Sequence, residues 1–173
     1  MTGLSAAELS ASLDRNADWL AERLDGRRPT TFAYPLGYVS GPAKQIVAAR
    51  FACGRGVWNG VNAGRADRAD LRAIGLESRR LPGYDLDILV QETAQAGGWL
   101  IAYGHDVSDR PTPYGCRPAD VDRLLSLARG AGLRICPVAE ALALATDAQT
   151  TQSRSGTPLA ARSASPASSA ASA

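Results

Sequence analysis

Trp99-Leu100-Ile101-Ala102-Tyr103-Gly104-His105-Asp106 decides how the rest of this chain is read. The segment is apolar with strand composition, and it carries the single histidine of 173 residues to its C-terminal end, directly before a carboxylate. A parallel strand buried on both faces reads as a continuous apolar run. In α/β folds the working residues sit where such strands end. The stretch therefore predicts a buried strand over residues 99–105 and singles out His105 and Asp106.

Outward from it, helical and strand signals alternate. Upstream, Asp85 starts a helix with Leu86, Leu89, Val90 and Thr93 on one side, closing at Gly97-Gly98. Downstream, a loop over residues 107–117 leads to Pro118 and a helix with Val121, Leu124, Leu125 and Ala128 inward. A strand over residues 133–136 and a helix over residues 138–145 follow. At the other end of the chain, Ser5 and Glu8 form a capping box before a stripe of Leu9, Leu13, Ala17, Leu20 and Leu24. Residues 30–34, Thr-Thr-Phe-Ala-Tyr, make a strand ending at Pro35-Leu36-Gly37. Gly41-Pro42 then opens a helix with Ala43, Ile46 and Val47 inward. A Gly-rich loop over residues 54–64 carries Arg55, Trp58, Asn59 and Asn62. Residues 67–81 predict a short helix near Leu71 and an edge strand over residues 74–77. This order points to βαβ units around a parallel sheet or barrel.

Composition excludes several classes. The net charge is +2 and the basic residues, all arginine except Lys44, are scattered, so no nucleic-acid surface is expected. No apolar run reaches the length of a membrane span and no signal peptide opens the chain, which makes the cytoplasm the default expectation. The spacing Gly54-x-Gly56-x-x-x-Gly60 misses the dinucleotide fingerprint. Cys53, Cys116 and Cys136 have neither redox-motif nor metal-ligand spacing and read as reduced thiols. Residues 148–173 contain no acidic residue and, alanine apart, only Leu159 as an aliphatic. Residues 147–173 are therefore expected to form a disordered tail behind a domain over residues 1–146.

Two segments, in this order, resemble a known family. Phe32-Ala33-Tyr34-Pro35-Leu36-Gly37 is similar to a Phe-Ala-Tyr-Pro-Tyr-Gly motif of the polysaccharide deacetylases (NodB homology, carbohydrate esterase family four). The apolar strand ending in His105-Asp106 resembles that family's last motif. The likeness covers about residues 4–145. It implies a distorted β/α barrel and metal-dependent hydrolysis of N-acetyl groups on a sugar polymer. By the resemblance, His105 would protonate the departing amine. Tyr103 would face the acetyl methyl, and the Leu36 amide after Pro35 would donate towards the oxyanion. Tyr34, Trp58 and Tyr114 are candidates for stacking on sugar rings. The family's Asp pair and its His-x-x-x-His ligands have no counterpart here, and Ala33 stands where many members carry arginine. The expectation is thus a partial barrel lacking its first strands. It would bind no metal by itself, although zinc or another divalent ion belongs to the complete family domain. Such a chain would be inactive alone, or a non-catalytic remnant that binds a glycan or a partner, or self-associates through an open sheet edge. The arginines at 79 and 80 read as a solvated face.

Overall fold

A computed structural model describes residues 3–155, with side chains over residues 3–146. The chain is mixed α/β, and its strands are few and short. Helix α1 (Ala6–Arg23) starts at the expected capping box and buries Leu9, Leu13 and Ala17. Strand β1 (Thr31–Ala33) leads into a 3-10 turn (Pro35–Gly37) and helix α2 (Gly41–Ala48), which buries Ala43 and Val47. Strands β2 (Cys53–Arg55) and β3 (Ile74–Gly75), helix α3 (Leu86–Gln95) and strand β4 (Ala102–Tyr103) follow. Helices α4 (Pro118–Gly130) and α5 (Val138–Ser155) complete the described chain. Helix α5 continues into the stretch for which a tail is expected. Residues 156–173, which hold the rest of that stretch, lie outside the described residues. Among the described residues no helix is long and apolar enough to cross a membrane.

Among the described residues both strand pairings are parallel. β1 pairs with β2 in the register Thr31–Cys53, and β3 pairs with β4 in the register Ile74–Ala102. A parallel bridge between Arg55 and Leu71 joins the two pairs. The run from Leu71 to Gly75 thus lies between β2 and β4, and the segments stand side by side in chain order. This corrects one expectation, since Leu71 is bridged rather than helical, whereas β3 itself pairs with β4 alone. The Leu71 N–H donates to the Gly54 carbonyl at 2.8 Å, and the Leu71 carbonyl accepts from the Gly56 N–H at 2.9 Å. Those ladder bonds outweigh the weak local helix signal.

The pairing does not close into a barrel. Residues 133–136, expected as a strand, form none; Leu133 N–H bonds back to Ala128 of α4 instead. The strand over residues 99–105 shrinks to Ala102–Tyr103, with Trp99 in an antiparallel bridge to Asn62.

Because side chains alternate across a strand, the sheet has two differently covered faces. On one face Ile74 and Leu76 pack with Leu86, Val90 and Leu124 of α3 and α4. Leu9, Leu13, Tyr34, Ala43 and Val47 form a second cluster under α1 and α2. On the opposite face Cys53, Leu71, Ala73 and Ile101 meet Val138 and Leu142 of α5. These four come early in their segments, so α5 covers the amino half of this face. Arg55, Gly75, Glu77, Tyr103 and His105 continue the same alternation towards the carboxyl ends.

Candidate functional site

Glu77, two residues beyond β3, is 2% exposed and the most deeply buried charged side chain among the described residues. A carboxylate so buried must be neutralised and hydrogen-bonded. Arg79 Nε donates to its Oε2 at 2.8 Å, and Arg80 Nε lies 3.1 Å from the same oxygen. Its other oxygen, Oε1, lies 3.9 Å from His105 Nε2. That is too long for a hydrogen bond but close enough for a favourable charge contact with an imidazolium.

Gly75 makes this convergence sterically feasible. A Cβ there would stand 2.9 Å from the Tyr103 hydroxyl and 3.0 Å from Glu77 Oε1. Tyr103 and Glu77 therefore lean over the bare glycine backbone from neighbouring strands. The Tyr103 hydroxyl is buried and makes no hydrogen bond of acceptable geometry, although the carboxylate stands beside it. Burial first, and then the Glu77 charge, push the Tyr103 phenol above its ordinary pKa.

Rings and guanidinium groups extend the cluster. His105 meets Tyr103 edge-on at 6.3 Å and Tyr114 at 5.9 Å between ring centroids. The Arg79 guanidinium lies 4.0 Å from the centre of the Tyr114 ring, and that of Arg55 lies 4.5 Å from Tyr103. Stacking of this kind is the favoured use of a planar guanidinium. Burial holds the Arg55 pKa below its ordinary value. His105 itself is exposed at the end of β4, where it can meet a ligand.

Asp106 serves the adjacent loop. Its Oδ2 accepts the Thr112 N–H at 3.0 Å, and its Oδ1 accepts the Thr112 hydroxyl at 2.6 Å. Its carbonyl accepts Cys116 N–H at 2.9 Å. The Thr112 hydroxyl, and then the Thr112 backbone, hold the Asp106 carboxyl below the usual carboxylate range. Asp106 thus ties down the loop that presents Tyr114 to His105.

The remaining sequence-derived candidates are dispersed. Tyr34 is 2% exposed, in the core, and its hydroxyl donates to the Ala69 carbonyl at 2.8 Å. Pro35 and Leu36 form the 3-10 turn after β1, with Leu36 left-handed at φ 56° and 88% exposed. Trp58 is exposed on the loop after β2. Among the described residues, no hydrogen bond, ion pair or ring contact connects Leu36 or Trp58 to His105. Sequence reasoning missed Glu77 and treated Arg79 and Arg80 as a solvated face. The available signal was a Glu followed two and three residues later by Arg, after an apolar run.

The donors do not fit a metal. Among the described residues no three His, Cys, Asp or Glu side chains come together. The Glu77 carboxylate that faces His105 already meets two guanidinium groups, whose charge would repel a divalent cation, and the Asp106 carboxylate is taken up by Thr112. A cavity of about 610 Å³ lies elsewhere, between α3, α4, α5 and residues 133–136, and none of the site residues lines it. Compared with family models, curated proteins and solved structures, the chain matches none.

Proposed function

We propose that this chain is a polysaccharide-deacetylase-type domain, part of a β/α barrel, that recognises N-acetylated sugar polymers through the His105 cluster. The observation that carries the reading is the position of His105. It stands exposed at the carboxyl end of a parallel strand, with the buried Glu77 carboxylate behind Nε2 and the Tyr114 ring against it. An exposed imidazole so placed is the group that proton transfer to a leaving amine would need. Tyr114, half-exposed and already stacked on Arg79, offers a flat face to a pyranose.

A proton donor does not make an amide carbonyl electrophilic. Hydrolysis also needs charge stabilisation at the carbonyl oxygen and an activated water, and the described residues supply no metal donor set for either. For the chain as it stands the proposal is therefore recognition of the N-acetylated polymer without cleavage.

The test is a chitotetraose titration of labelled chain followed by NMR. Shifts centred on His105 and Tyr114, lost in His105→Ala and unaccompanied by acetate release, are expected. Absence of any shift at millimolar sugar overturns the reading. Acetate release by the chain alone overturns the limitation to recognition.

A further inference from the structure

Two loops, after the carboxyl ends of β1 and β2, present Leu36, Tyr38 and Trp58 to solvent at 88%, 58% and 68% exposure. These side chains belong to one patch. A Cβ on Gly37 would collide with the Val57 methyl groups, and a Cβ on Gly56 would stand 3.7 Å from Trp58 and 3.8 Å from Val39. The turn over residues 35–37 therefore rests on Val57, and Val39 flanks Trp58. Both loops are pinned from behind: Tyr34 N–H donates to the Arg55 carbonyl at 3.1 Å, and Ala73 N–H to the Trp58 carbonyl at 2.9 Å. Leu36 is held left-handed at φ 56°, a costly conformation for leucine, yet its side chain buries almost nothing.

Charge along this segment is of one sign. Residues 26–66, which contain the whole patch, hold six cations and no Asp or Glu. Asp18, Asp67 and Asp14, all from outside the segment, answer Arg28, Lys44 and Arg50. Arg72 adds a cation beside Trp58, with Nη1 donating to the Asn59 carbonyl at 2.9 Å. Asp70 lies beneath the patch, with Oδ1 buried 2.8 Å from where a Cβ of Gly56 would stand.

We propose that this patch docks the protein on an anionic membrane surface, with Leu36 and Trp58 entering the boundary between headgroups and acyl chains and Tyr38 at headgroup level. Interfacial binding grows with the apolar area buried and with attraction between basic groups and anionic lipid, and the patch supplies both. Trp and Tyr suit that depth because each ring has an apolar body and a polar tip. A nucleic acid would use the cations but would gain nothing from an exposed leucine. The docking is carried by residues other than the His105 cluster and does not depend on the sugar reading.

The test is cosedimentation of the full chain with vesicles of equal parts phosphatidylglycerol and phosphatidylcholine, against vesicles of phosphatidylcholine alone. Binding to the anionic vesicles is expected, at least about tenfold tighter than to the neutral ones and weakening as salt is raised. Leu36→Asn keeps a residue that tolerates the left-handed turn while removing the apolar group, and Trp58→Ser removes the exposed ring. Each weakens vesicle binding by about tenfold, the share of one large apolar side chain. Ile88→Ser, at an apolar position 55% exposed on α3, leaves it intact. Tryptophan emission shifts to the blue on vesicle addition in the unaltered chain and not in Trp58→Ser. No cosedimentation with anionic vesicles at millimolar lipid overturns the proposal. So does binding that Leu36→Asn and Trp58→Ser leave at full strength, which is charge attraction alone. Trp58-dependent binding of a single-stranded oligonucleotide without vesicle binding also overturns it and assigns the patch to nucleic acid.

Discussion

Glu77 and His105 face one another across the carboxyl ends of β3 and β4, with Oε1 3.9 Å from Nε2, while Arg79 and Arg80 hold the other carboxylate oxygen. One buried anion therefore organises three cationic or protonatable groups, and its removal should be felt in both stability and binding.

Glu77→Gln leaves two guanidinium groups without their counter-charge. Breaking a fully buried pair costs about 3–5 kcal/mol, but both arginines are partly exposed and solvent screens them. A loss of about 1–3 kcal/mol is expected, read by urea denaturation. A change below about 0.5 kcal/mol, the scale of an ordinary surface substitution, would show that Glu77 does not organise the cluster.

Gly75→Ala places a methyl group 2.9 Å from the Tyr103 hydroxyl and 3.0 Å from Glu77 Oε1. Overpacking of this kind costs about 1–3 kcal/mol. The His105 ring resonances should move in the same variant, because the rings and the carboxylate shift together. Unchanged His105 resonances would contradict the convergence over Gly75.

Tyr34 gives a pH prediction at the alkaline end. Burial, and then the charges of Asp70 and Asp67, push its phenol up to about 12 from 10.0. A pKa raised on folding means that the protonated form is the one the fold holds. The associated stability is complete below about pH 10 and is lost as pH rises through about 12. Tyr34→Phe should abolish that decline and, by leaving the Ala69 carbonyl unpaired, cost about 1 kcal/mol at neutral pH. A phenolate absorbance titration with a midpoint for Tyr34 near 10 would refute the assignment.

Asp106 works in the opposite direction. Its carboxyl is held below the ordinary range by the Thr112 hydroxyl and then the Thr112 backbone, so its contribution is present above the unfolded-state pKa and lost as pH falls below it. Thr112→Val should raise the Asp106 pKa towards its ordinary value, measured by carbon-13 NMR of the carboxyl group. Gly115→Ala should loosen the same loop, because its methyl would collide with the carboxylate and the carbonyl oxygen of Asp106. An Asp106 titration unaffected by Thr112→Val would remove the hydroxyl as its cause.

Thiol reactivity gives a check on the core. Burial raises the pKa of Cys53 and Cys116, which are 2% and 1% exposed, whereas Cys136 is half-buried. Iodoacetamide should label Cys136 first, with Cys53 and Cys116 modified only on unfolding. Early labelling of Cys53 would mean that α5 does not cover its face of the sheet.

Local chemistry was legible wherever a few neighbouring residues decide the outcome. The Ser5–Glu8 capping box and the Asp85 cap appear where the spacing places them, and of the expected α1 stripe Leu9, Leu13 and Ala17 are buried while Leu24 lies past the helix end and is exposed. Pro118 opens α4 as expected for a residue with no N–H to lose. His105 was legible as a strand-end residue for the same reason: an apolar run stops there. Leu71 was misread because a short apolar segment carries no period, and only its partner Gly54 settles its conformation. Residues 133–136 have strand composition but no free neighbour that pairs with them, and composition cannot supply one.

Alone, the order of amino acids determined the α/β class, the helix starts and the delivery of His105 to the end of a strand, since each depends on contacts within a few residues. Tertiary structure alone decided what stands around His105. Glu77, Arg55 and Tyr114 arrive from 28 residues before, 50 before and 9 after in the chain. Their meeting depends on the parallel register of β2, β3 and β4 and on the bare backbone at Gly75. Pairing between distant strands is a long-range cooperative choice, and the chemistry of this site is written in that pairing rather than in any local motif.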